Sequence, residues 1–188
     1  TDGIYNIIKN FFKEYNGLIS EMDKLYDAPS AKGYDPLTED EKKEMSESAI
    51  DKWETKIKDS ILRRDSNLST ISSAMKNVLL QGATVNGKQM YLNDFGIETL
   101  GYFTSGENEK NVYHINGDED DSAVSNKENA LKAAIASDPD TVIAFFANLS
   151  QNLYTELDKQ SRGVDGVRSY GSFYDDKKMK EDYDNYTT

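Results

Sequence analysis

The chain has no cysteine and, in 188 residues, only three prolines, one histidine and one tryptophan. Without cysteine there is neither a disulfide nor a thiolate metal site, although this does not fix the compartment. No apolar run approaches the roughly 20 residues that span a bilayer, and no signal peptide opens the chain. Positive charge is scarce: 22 Lys and Arg stand against 34 Asp and Glu, a net charge of −12. A protein that reads a nucleic-acid backbone needs a basic stripe, and none is present. The same acidity disfavours an anionic membrane surface. Hydrophobic residues make up 37% of the chain, below the usual globular share, and charged residues 30%. That balance suits an elongated helical body with much solvated surface better than an enzyme with a deep core. The length suits one domain, with an appended arm.

What the chain does have is legible helix punctuation between Tyr34 and Leu80. Pro36 holds Asp35 extended. Thr38 and Glu41 then form a capping box, which opens a short helix over 39–45. Ser46 caps a second helix from Glu47, with Ala49, Ile50, Trp53 and Ile57 on one face. Asp65 caps a third, carrying Leu68, Ile71, Met75 and Val78, and Gly82 stops it. Residues 3–26 give the strongest helical signal. Ile4, Ile7 or Ile8, Phe11, Tyr15, Leu18, Met22 and Leu25 form a seam, which Ile8, Phe12, Ile19 and Tyr26 widen to the broad stripe of a bundle helix.

Between 82 and 125 six glycines break any long helix. Thr99–Thr104 and Asn111–Ile115 read as the two strands of a hairpin, and Gly117–Ser122 as a long solvated loop. Ser125 and Glu128 suggest a capping box before a helix with Leu131, Ala134 and Ile135. Asp138 and Pro139 start the next helix as N-cap and first helical residue. Its apolar face is Val142, Phe145, Phe146 and Leu149, persisting through Leu153 and Leu157 to about Gln160, before Gly163 and Gly166. Met179, Tyr183 and Tyr186 form a last stripe running to the chain end. Both ends read as cut from a longer protein.

Two ordered sets of residues carry a resemblance. The first is Pro36-Leu37-Thr38, an acidic run, Met45-Ser46, Ile50, Trp53 and Ile61-Leu62-Arg63-Arg64-Asp65. The second is Leu131, Ala133-Ala134, Asp138-Pro139-Asp140, Val142 and Phe145-Phe146. With Tyr15-Asn16 and Asp94-Phe95-Gly96-Ile97, they resemble the C-terminal region of the bacterial flagellar filament cap family, hook-associated protein 2. The loop at 117–122 departs from that pattern. The resemblance implies a mainly α fold: an elongated helical bundle with coiled-coil-like packing and one small antiparallel β-hairpin. Residues 1–170 would be a leg-like helical domain, with the hairpin at about 97–116, and 171–188 the start of a further helix. It also implies a non-enzymatic assembly protein exported to the flagellum tip outside the cell. Its expected partners are its own copies in a cap ring, flagellin and other hook-associated proteins, with no nucleic acid and no membrane insertion. A secreted adhesin is the alternative reading.

No residue reads as catalytic, cofactor-binding or metal-binding. His114 lies in a short alternating strand with no nucleophile elbow nearby, and is expected to be an exposed strand residue. Asp118-Glu119-Asp120-Asp121 lacks the ligand spacing of a calcium loop. Trp53 at helical spacing is expected to anchor the core. Arg63-Arg64 complement a helix C-terminus. No glycine set matches a phosphate-binding loop. Tyr170, Phe173, Tyr174, Tyr183 and Tyr186 serve either an interface or packing against the helix of residues 3–26.

Overall fold

A computed structural model describes residues 2–162 of the chain. The expected stripe at 171–188, the aromatics from Tyr170 onward and the stop at Gly163 and Gly166 lie outside these residues. Six helices and two hairpins follow in order. They are α1 (Asp2–Tyr26), α2 (Glu39–Lys43), α3 (Glu47–Asp59), α4 (Ser66–Gln81), β1 (Ala83–Val85), β2 (Lys88–Met90), β3 (Ile97–Thr99), β4 (Tyr113–Ile115), α5 (Ala130–Ser137) and α6 (Pro139–Arg162). The fold is mainly α. No helix among the described residues is long and apolar enough to cross a membrane.

Most helix starts follow the caps in the sequence. The Thr38 hydroxyl accepts from the Glu41 amide while the Glu41 carboxylate accepts from the Thr38 amide, a complete capping box. Ser46 accepts from the Ala49 amide, Asp65 from that of Leu68, and Asp138 from that of Thr141. The α5 start differs. Asn129, not Ser125, caps it, accepting from the Lys132 amide at 2.9 Å, and Val124, three positions after Asp121, is fully buried in a succession of turns.

Three long helices make the body. The first half of α4 faces the last half of α6, where Ser69 and Ser73 line one groove with Glu156 and Gln160, while Asn148 of α6 donates to the Thr84 carbonyl just past α4. These two helices therefore run antiparallel. Tyr26 and Asp23 at the end of α1 meet Arg64 and Lys76, so α1 is antiparallel to α4 and parallel to α6. The core between them takes Tyr5, Ile8, Phe12, Tyr15, Ile19 and Met22 from α1, Met75 and Leu79 from α4, and Val142, Phe145, Phe146, Leu149 and Leu153 from α6. At its centre Phe95 lies 4.8 Å from Phe145 and 5.5 Å from Phe146, ring centre to ring centre, and Phe146 meets Phe12 edge-on. The α1 face is turned from the expected seam. Tyr5 and Phe12 go in, whereas Ile7 and Leu18 are 71% and 49% exposed.

The expected hairpin is present as β3–β4, with Ile97 opposite Ile115 and Thr99 opposite Tyr113. Its first strand starts at Ile97, ahead of the expected Thr99, because the turn Leu92–Phe95 delivers the chain there with Leu92 and Phe95 buried. A second hairpin, β1–β2, pairs Ala83 with Met90 and Val85 with Lys88. Asn86 and Gly87 make its two-residue turn at φ 50° and 79°, the left-handed pair that such a turn demands. Gly117 is required for space as well. At φ 73°, an added Cβ would lie 2.8 Å from the Asn129 backbone nitrogen and the Lys127 carbonyl oxygen.

Candidate interaction surfaces

Trp53 does not anchor the core. It is half-buried in a satellite of its own, 4.7 Å from the Tyr34 ring, and its indole N–H donates to the Asp35 carbonyl at 2.8 Å. Neither α2 nor α3 buries any residue. The segment that spans them is fastened at its return, where the Arg64 amide donates to the Tyr26 carbonyl and its guanidinium meets Asp27 and the Tyr26 ring. Arg64 sits at φ 57°, so it serves this junction rather than a free anion.

The acidic loop is built in, contrary to the solvated loop expected from its composition. Asp118 is buried, and the Lys9 ammonium of α1 lies 2.6 Å from both Asp118 and Asp120. Burial alone would lower the Lys9 pKa, but the hydrogen bonds and charges of the two carboxylates outweigh it and hold the group above its ordinary 10.5. Lys9 in turn holds the Asp120 carboxyl below the usual range. His114 is enclosed as well, with only 12% of its side chain exposed. Its Nδ1 lies 2.5 Å from Asp121 Oδ2, while Nε2 is buried without a hydrogen-bond partner. A triad would hold its nucleophile at that nitrogen. The cluster is a clasp: β4 and its loop are tied to one another and to α1. Asn16 completes it by donating to the Tyr113 carbonyl at 2.7 Å and accepting from the Tyr113 amide at 2.9 Å, filling the open edge of β4 as a neighbouring strand would.

Two surfaces remain unsatisfied. The loop from β3 to β4 is pinned to α1 by Ser20, which donates to the Asn108 carbonyl, and by Asn111, which donates to Asp23. Its tip carries Tyr102 and Phe103, 67% and 97% exposed, their rings edge to face and Lys110 lying 3.8 Å over Tyr102. The second surface is a groove of about 420 Å³ between α1 and α6, lined by Ile4, Ile7, Phe11, Ile143, Phe146 and Ala147. Among the described residues no group of three or more His, Asp or Glu is placed to hold a metal ion.

A chain with caps, hairpins and clasp in this order has relatives. The family model of the flagellar hook-associated protein 2 C-terminus matches residues 1–165. The chain belongs to this family. A flagellar hook-associated protein 2 from Halalkalibacterium halodurans is 28% identical over 162 residues, which is 86% of this chain. The match covers 28% of that relative, so the chain spans little more than a quarter of its length. No solved structure matches the chain. Membership places the residues of the resemblance in physical roles. Asn16 holds β4, Phe145 and Phe146 form the core, and Asp138-Pro139 open α6. In this member of the family the loop at 117–122 is fastened by Lys9. Sequence reasoning missed Lys9, Asn16 as a strand partner, and the Tyr102–Phe103 tip. Only the tip left a signal, as two adjacent aromatics in a loop flanked by glycine.

Proposed function

We propose that this chain is the helical leg of a flagellar filament cap, a structural part that positions the cap at the filament tip, outside the cell, and promotes flagellin polymerisation. The family match over residues 1–165 carries this reading. The chemistry of the surface agrees with it. The buried clasp makes the β3–β4 loop a rigid mount, and the mount presents a fixed aromatic pair, the residue type that dominates protein interfaces. Work of this kind draws on association and shape change, and needs no catalytic residue. The partners in this reading are further copies of the parent protein in a ring, flagellin, and other hook-associated proteins at the junction.

The test is the full-length parent carrying Tyr102→Ser and Phe103→Ser, returned to a strain of its own species lacking the gene. Both side chains are exposed, so the protein should fold and be exported normally. Filaments should be shorter and unassembled flagellin in the medium should rise several-fold. Filaments of normal length would remove the tip from the account. The adhesin reading rests on the same tip, and predicts instead that this variant loses attachment to a glycan or host protein while filaments stay normal.

A further inference from the structure

The groove between α1 and α6 is apolar along its floor, yet Ile7 is 71% and Ile143 48% exposed there, and Tyr154 further along α6 is 63% exposed. Ile143, Ala147, Ser150 and Tyr154 step by four, three and four residues, as do Ile4, Ile7 and Phe11 by three and four. Two parallel helices that each offer such a seam accept a third helix between them. The exposed residues beside the seams include Glu14 on α1 and Asp140 on α6, so an occupant with cations beside its apolar stripe is favoured.

We propose that residues 163–188 of this chain turn back after α6 and close the groove as a helix antiparallel to it. The segment starts where it must, at the end of α6, which is one wall of the groove. Gly163 and Gly166 suit the reversal. After a turn of roughly six residues, equal rise along two antiparallel helices brings Met179 level with about Ser150, Tyr183 with about Ala147 and Tyr186 with about Ile143. These are the groove residues of α6, met by the stripe that steps four and three. Lys177, Lys178 and Lys180 flank Met179 and supply the cations that the acidic margin favours.

The absence of native cysteine makes the test clean. In the full 188-residue chain, Ala147→Cys is combined with Tyr183→Cys and the protein is oxidised gently at low concentration. A disulfide requires the two Cα atoms within about 7 Å. The expected product is a monomer with an internal disulfide, while Lys56→Cys paired with Tyr183→Cys stays reduced. No disulfide in the first pair would overturn the proposal. A disulfide formed only between chains would overturn it too, and assign the groove to a second copy. A second variant guards against local distortion by the cysteines. If the segment covers Ile7, Ile7→Asp should lower the urea midpoint of the full chain clearly, whereas Ile61→Asp, at a site 69% exposed, should leave it in place. Equal, negligible effects would contradict closure.

Discussion

At the scale of single residues, Asn16 shows how much one side chain can do. It answers both polar groups of Tyr113, and a partly buried strand edge left open costs about 1–3 kcal/mol for each unsatisfied group. Asn16→Ala should therefore destabilise the chain by about 2–4 kcal/mol, and a loss below about 0.5 kcal/mol in urea melts would mean that water replaces the amide. Glu98 gives a second, pH-dependent prediction. Hydrogen bonds from Lys127 and then Asn116 hold its carboxyl below the ordinary 4.5. A depressed folded-state pKa contributes stability above the unfolded value, and that contribution is lost as pH falls through the folded one. Between pH 5 and pH 3 the wild-type melting temperature should fall more than that of Glu98→Gln. Parallel curves would show that Glu98 is not coupled to folding.

Among the elements, α3 is the part least supported by the rest. Its stripe of Ile50, Trp53 and Ile57 is only half-buried, and it packs on Tyr34 and its loop instead of the core. Trp53→Ala should accordingly cost about 1–2 kcal/mol, against about 3–5 kcal/mol for Phe145→Ala at a fully buried site. The single tryptophan also makes the unit observable. Its emission should change at lower urea than the far-UV circular dichroism of the whole chain, and coincident transitions would show that α2 and α3 melt with the body. This element explains what the sequence could and could not reveal. Caps act over three or four residues, so Thr38, Ser46, Asp65 and Asp138 announce their helices locally. Which stripe meets a core depends on distant partners. The spacing around Trp53 looks like that of Phe145 and Phe146, and α1 carries two overlapping stripes of which packing buries one. The clasp was illegible for the same reason. Lys9 and Asp118 are 109 positions apart, and an acidic run without its lysine reads as a solvated loop. The β1–β2 hairpin is different, since Asn86-Gly87 states its turn in two residues.

For the whole molecule, the account assigns rigidity to the clasp and core, and association to surfaces that the chain leaves open. The isolated 188-residue chain should then be mostly monomeric by light scattering across a concentration series, while the full-length parent forms closed rings. A stable small oligomer of the isolated chain would move the ring contacts into this region. The central claim is that the chain is part of a filament cap, and the most direct measurement is genetic. The parent gene is deleted in its own species and flagellin is quantified on cells and in the medium. The account predicts that flagellin is exported but lost to the medium, that filaments disappear, and that the full-length parent restores them while residues 1–188 alone do not. Normal filaments in the deletion strain would contradict the account.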